Sequence, residues 1–245
     1  MPDYKCVHCI VNAATTRDHV FSASYYPDST PLTVARPRRA PSCESCNNKL
    51  SVVEERFYTL LALCINPEKP GASGLQRRTM RKFGVGIAAG ELNPEEALRR
   101  NEQKIQLLGR LKQYVPGMGH SPRLGPHAEH PEETQHYIDA PEAEKIMVAE
   151  KIIRGLEFHF KRRYVEEPYT IQIFETIEEA DLTSIERFFN AQEPITYGSG
   201  YKVERVSTSS DPKSVLYRVT IWETFQFWAV ILSRGELSHV TGEVQ

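Results

Sequence analysis

Three observations predict an α+β fold. Two Cys-x-x-Cys pairs sit in the first fifty residues, three segments carry apolar residues at helical spacing, and four β-like runs crowd the last third. The expected plan has three parts: residues 1–66, a small module stapled by metal; 67–133, a linker and helical connector; and 134–245, an α+β domain with an antiparallel sheet.

Residues 1–50 read as loop with short strands at best. The first helix is expected from about Cys46 to Ile65, because Leu50, Val53, Phe57, Leu60, Leu61 and Cys64 recur on one face and Asn66-Pro67 stops it. Residues 66–92 read as a Gly-rich linker with a basic cluster, Arg77-Arg78 and Arg81-Lys82. A second helix is expected from Pro94 to about Tyr114, with Asn93 as N-cap and Pro94 at the first helical position. Charge dilutes its apolar positions, so it reads as a surface helix. Val115 to Glu133 reads as a loop whose histidines, with His136, fit no ligand spacing. A third helix, about Pro141 to Tyr164, presents Ile146, Ala149, Ile152, Ile153, Leu156 and Phe160 on one face. The β-like runs are Tyr169–Phe174, Tyr201–Ser207, Val215–Thr224 and Phe225–Ser233, with a short helix expected over Leu182–Asn190.

Composition bounds the function classes. A hydrophobic fraction of 40% and a charged fraction of 25% fit an ordinary globular protein. Phe225 to Leu232 is the longest apolar stretch, too short to span a bilayer, and no signal-like apolar region follows the polar start. A cytoplasmic protein without membrane contact is the expectation. Net charge is −2, but residues 1–82 hold 12 Lys/Arg against 7 Asp/Glu, and the remainder 18 against 25. A basic front on an acidic remainder fits a polyanion bound by the front alone.

The chemistry concentrates at Cys6-x2-Cys9, Arg17-Asp18-His19-Val20 and Cys43-x2-Cys46-Asn47. Four thiolates suffice for a closed tetrahedral zinc site, a structural one, since no position stays open for a reacting group. Such a clamp pins the ends of the Ile10 to Ser42 loop and so sets where Asp18 and His19 stand relative to Asn47. On an extended segment, adjacent side chains point to opposite faces. Asp18 can then hold a hard divalent cation while His19 reaches a water from another side. Asn47, at the helix start, is placed to give a second oxygen, and magnesium or manganese suits so few protein donors. His8, inside the first knuckle, reads as exposed, Cys64 as a core residue, and Trp222 and Trp228 as core.

These residues resemble a known family. Cys6-x2-Cys9, Thr16-Arg17-Asp18-His19-Val20, Pro41-Ser42-Cys43-Glu44-Ser45-Cys46-Asn47-Asn48 and Glu54-Glu55-Arg56-Phe57 are similar to HNH endonucleases of the ββα-metal fold, in the variant where Asn replaces the last His. The segment Lys151-Ile152-Ile153-Arg154-Gly155-Leu156 is similar to a helix downstream in many such proteins. The resemblance covers roughly residues 4–60. It implies Asp18 and Asn47 as ligands of a catalytic cation and His19 as the base that activates water. It also implies nucleic acid as substrate, with DNA the expected form; by their charge and their place in or beside the loop that the clamp closes, Arg17, Arg36, Arg38, Arg39 and Lys49 are the expected phosphate contacts. The family's middle Asn, which braces the loop after the His, has no counterpart between His19 and Cys43. Ser29 or Thr30 is the expected stand-in, or else the Tyr25 to Pro41 loop holds itself. The alternative reading is a non-catalytic zinc module that binds nucleic acid or a protein partner. A third keeps the nuclease silent until the C-terminal domain senses a ligand or partner, as in phage defence.

Overall fold

The computed structural model describes residues 4–31, 33, 38–65, 70–83, 93–113, 123–124, 136–138, 140–175, 186–187, 189, 193–207 and 211–233. It is a mixed α+β protein whose sheets are all antiparallel.

Near the N-terminus, β1 (Thr16–His19) pairs with β2 (Arg39–Ser42), and α1 (Glu44–Cys64) follows after one residue. The helix buries Leu50, Val53, Phe57, Leu61 and Cys64, the face its periodicity predicts. The segment expected to be a linker instead contains a helix, α2 (Leu75–Lys82). Burial of Leu75 and Thr79 against the core holds it, and Arg77 and Arg78 pair with Asp28 rather than facing solvent alone. Gly74 begins that helix in the left-handed region, at φ +74°, where a Cβ would stand 1.8 Å from the Asp28 carboxylate.

The surface helix α3 (Pro94–Leu108) starts with Asn93 Oδ1 accepting from the Glu96 N–H at 2.8 Å. It ends before Tyr114, because the chain turns at Gly109 and β3 (Leu111–Gln113) joins a small sheet with β4 (Arg123–Leu124) and β5 (His136–Ile138), in the order β3-β5-β4. Helical periodicity cannot register a switch to three-residue strands made by distant pairing. Most of the 115–133 loop, including His120, His127 and His130, lies outside the described residues.

The second half is built on α4 (Glu142–Lys161) and a five-stranded sheet. Glu142 and Glu144 open the helix and His159 and Lys161 close it, charges that complement its dipole, and Arg162 caps it in the left-handed region. The sheet contains β6 (Tyr169–Phe174), β7 (Ile195–Tyr197), β8 (Tyr201–Ser207), β9 (Val215–Ile221) and β10 (Phe225–Ser233), in the order β6-β10-β9-β8-β7. On β9, Val215, Tyr217, Val219 and Ile221 are buried and the residues between them are not, the period of two that a half-covered sheet requires. Of the short helix expected over Leu182–Asn190, only Glu186, Arg187 and Phe189 are described, all helical.

One apolar core joins the two halves. It runs from Val20, Phe21, Tyr25 and Tyr26 through Phe57, Tyr58 and Leu61 of α1 and Ile152, Ile153 and Leu156 of α4 to Tyr201 and Phe227 of the sheet and Trp222 in the turn between β9 and β10. Phe21 stacks on Tyr201 with centroids 4.3 Å apart, and Tyr25 on Tyr58 at 4.8 Å. Aromatic pairs of this kind contribute roughly 0.5–1.5 kcal/mol beyond their buried area. The Tyr25 carbonyl accepts two hydrogen bonds, from Tyr201 Oη and Trp222 Nε1, each at 3.1 Å. The loop after β1 is thus anchored on the C-terminal sheet.

Candidate active site

The first cysteine knuckle is a tight loop. Lys5 and Ala13 form one antiparallel bridge, Cys6 N–H donates to the Asn12 carbonyl, and Ile10 turns through φ +63°. The second knuckle is the junction of β2 and α1, with Cys43 just before the helix and Cys46 in its first turn. The two are sewn together by Thr15 N–H to the Ser42 carbonyl and by Glu44 N–H to Thr15 Oγ1.

The sulfurs of Cys6, Cys9, Cys43 and Cys46 all lie within 4.8 Å of one another, Cys9 and Cys43 at 4.0 Å. Four thiolates at tetrahedral zinc distance stand ~3.8 Å apart, so drawing the sulfurs in by roughly an ångström or less closes the site. The backbone N–H of Cys46 brings the Cys43 thiol down to about 7, toward the thiolate a metal needs. The group fits zinc as a structural ligand set. Cys64 lies apart and buried, its thiol pushed up to about 12 by burial.

Along β1 the side chains alternate. Asp18 is turned inward, 7% exposed, and His19 is half-buried on the other side. Asp18 Oδ2 accepts from His8 Nε2 at 2.9 Å, and Oδ1 lies 3.4 Å from Lys151 Nζ. Lys151 arrives from α4 with its side chain almost fully buried. Its ammonium donates to Glu54 Oε1 at 2.6 Å and to the His19 backbone carbonyl at 2.5 Å. Two buried carboxylates thus share one ammonium, and ionising both leaves a net buried charge, which is costly. The two titrate apart. Burial pushes both up, but at Asp18 the His8 hydrogen bond and the Lys151 charge outweigh it and the group falls below the usual carboxylate range. At Glu54 burial wins and takes the carboxyl to about 7.

His19 faces the open side. Its Nε2 accepts from Arg39 Nε at 3.1 Å, a contact set by the β1–β2 register, which places the two residues opposite each other. Partial burial first, and the Arg39 charge second, lower its pKa from the ordinary histidine value. The ring is therefore neutral at pH 7, with its Nε2 lone pair directed at a guanidinium.

Asn47 sits in the first turn of α1, half-buried, its N–H on the Cys43 carbonyl and its carboxamide without a hydrogen bond among the described residues. The Asn47 carboxamide is a hard oxygen donor of the kind magnesium or manganese takes, whereas both Asp18 oxygens are engaged by His8 and Lys151, so a cation at Asp18 would have to displace one of these partners. Arg17 and Lys49 are exposed. Arg38 turns to the second half, donating to His159 Nε2 and lying over the Tyr197 ring. Arg36 lies outside the described residues.

Three positions in contact with or next to Asp18 have surroundings the sequence reading does not anticipate. His8 is not exposed, because the knuckle folds its ring onto Asp18. Lys151 and Glu54 form the charge cluster. Their signal was a Lys and a Glu set within apolar helical faces, where an unpaired charge is too costly to bury. Neither Ser29 nor Thr30 braces the segment after His19. Ser29 Oγ bonds the Pro70 carbonyl and Ser199 Oγ, and Thr30 Oγ1 is buried with no hydrogen-bond partner among the described residues. The His19 carbonyl is held by Lys151 instead.

No helix among the described residues is long and apolar enough to cross a membrane. Compared with family models, with curated proteins and with solved structures, the chain has no match.

Proposed function

We propose that the chain is a metal-dependent endonuclease of the HNH type, hydrolysing phosphodiester bonds in nucleic acid, with DNA the expected form. One observation carries this reading. A neutral, half-exposed imidazole, His19, faces the Arg39 guanidinium at 3.1 Å on the rim of a cysteine-clamped hairpin, and its chain neighbour Asp18 is a buried, ionised carboxylate. Water attacking a phosphodiester needs a base with a free lone pair at neutral pH and a fork-shaped cation for the phosphate oxygens beside it.

In this mechanism Arg39 leaves His19 Nε2 for a non-bridging phosphate oxygen. The freed Nε2 takes a proton from water as the water oxygen bonds to phosphorus; the P–O3′ bond breaks, and the 3′ oxygen leaves with the bonding pair and takes up a proton from solvent. Asp18 and Asn47 would hold a divalent cation, which would supply Lewis-acid stabilisation of the charge that develops in phosphodiester hydrolysis. Arg17 and Lys49, exposed near the hairpin, hold the backbone without reading sequence.

The alternative, a zinc module that only binds, takes its support from Asp18, both of whose oxygens are already engaged inside the chain. Full-length protein tested on plasmid, linear and branched DNA with magnesium, manganese or chelator separates the two. His19→Ala should keep its zinc and its affinity for DNA and cut about 10²–10⁴-fold more slowly. A wild-type protein that binds but does not cut, or a His19→Ala variant that cuts at the wild-type rate, rejects the mechanism.

A further inference from the structure

Lys151 is the most buried charged group near the hairpin, and it comes from 132 residues beyond His19. A lysine serving only to neutralise Glu54 would need one contact. This one makes three. Besides Glu54 Oε1, its ammonium reaches Asp18 Oδ1 and the carbonyl oxygen of His19 itself. Those last two contacts fall on consecutive residues of β1, one on a side chain and one on the backbone. The Asp18 side chain is also gripped from the opposite side by His8, which the cysteine knuckle carries. Asp18 is thereby held between the first cysteine knuckle and α4. The peptide after His19 is fixed by α4, and the next residue, Val20, packs against α4 at Gly155.

We propose that Lys151 is a positioning residue of the candidate site: by holding the Asp18 carboxylate and the His19 carbonyl together, it fixes where the His19 ring stands relative to Asp18. The proposal rests on the nuclease reading for its catalytic consequence, while the positioning itself is independent of that reading. The competent hairpin is accordingly a joint product of the cysteine clamp and α4. The basic N-terminal segment alone does not define it.

The test uses the full chain, zinc-loaded, as Lys151→Met, as Glu54→Gln, and as the double variant Glu54→Gln/Lys151→Met. Lys151→Met leaves Glu54 buried without its partner and can fail to fold. The double variant removes that stranded carboxylate and replaces both side chains by neutral ones of similar size. It is compared with Glu54→Gln alone. Two quantities are read: the imidazole nitrogen resonances of His8 and His19 by NMR, and kcat and KM for DNA cleavage.

Positioning predicts that the double variant retains zinc and cooperative unfolding, shows displaced His8 and His19 resonances, and loses about 10–100-fold in kcat with KM within about twofold. A double variant with the resonances and the kcat of Glu54→Gln overturns the proposal, since Lys151 then does nothing beyond neutralising Glu54. Wild-type protein without cleavage activity sinks the nuclease reading alone. The imidazole resonances then decide the role of Lys151 by themselves: displaced, they support it; unmoved, they reject it.

Discussion

Glu54→Gln offers a quantitative check of the buried charge cluster. Burial raises the Glu54 carboxyl from 4.5 to about 7 in the folded protein. A group whose folded pKa exceeds its unfolded value contributes stability that is full below the unfolded pKa and is lost as pH rises through the folded one. The window here runs from 4.5 to about 7 and slightly beyond. Between pH 6 and 8.5 the unfolded carboxyl is already ionised, while the folded one gives up its proton. Linkage sets the loss over that interval at ~1.4 kcal/mol of folding stability, since a tenfold change in a protonation equilibrium corresponds to about 1.36 kcal/mol. Glutamine can still accept from Lys151 but has no proton to lose. Urea unfolding of wild type and Glu54→Gln, run side by side with the same zinc, should give curves that diverge by that amount as pH rises, with the variant gaining. Comparing the two proteins cancels the pH dependence of the thiolates. Parallel curves from pH 6 to 8.5 would mean that Glu54 is already ionised at pH 6, and that two carboxylates sharing one ammonium does not hold a proton on either.

Elemental analysis of protein purified without chelators should find about one zinc per chain, and Cys43→Ser or Cys46→Ser should lower zinc content and unfold the hairpin cooperatively. Zinc-free wild-type protein with an intact hairpin would refute the clamp. At Gly155 an added Cβ would stand 3.0 Å from Val20 Cγ2, itself buried beside His19. Gly155→Ala sets a helix-propensity gain of about 1 kcal/mol against an overpacking cost of about 1–3 kcal/mol, for a net loss of roughly 0–2 kcal/mol. Gly155→Val, with more atoms and less propensity, should cost more, and denaturant unfolding showing it as stable as wild type would rule out this close approach of α4 to β1.

The parts of the fold legible in the sequence are those governed by local pattern. The apolar face of α1 and the α4 helix follow from a period of 3.6, the four long strands from β-like runs set between turn residues, and the two cysteine pairs announce their own meeting. Helix α2 was missed because two buried residues, Leu75 and Thr79, in a segment of basic residues give too weak a period, and Asp28, which pairs with its arginines, lies far back in the sequence. The end of α3 was missed because the β3–β5 pairing is non-local. At the candidate site, Asp18, His19 and Asn47 stood out through their spacing from the cysteines. Lys151 did not, since nothing local connects it to Asp18. Its position in an apolar face, at one turn from Met147 and Gly155, said only that it would need a buried partner.

The two hydrogen bonds on the Tyr25 carbonyl come from residues 176 and 197 positions later. Chain closure over such spans is entropically slow and cannot begin until both donors exist. On a ribosome, synthesis is vectorial: the cysteine knuckles emerge first, whereas the anchor for the loop beyond His19 arrives with the last strands. The four cysteines can therefore come together while the chain is still being made, but the segment after His19 settles only once Tyr201 and Trp222 have been made. The geometry around His19 is thus assembled only after residues of the sheet, far later in the chain than the cysteine knuckles, have been made.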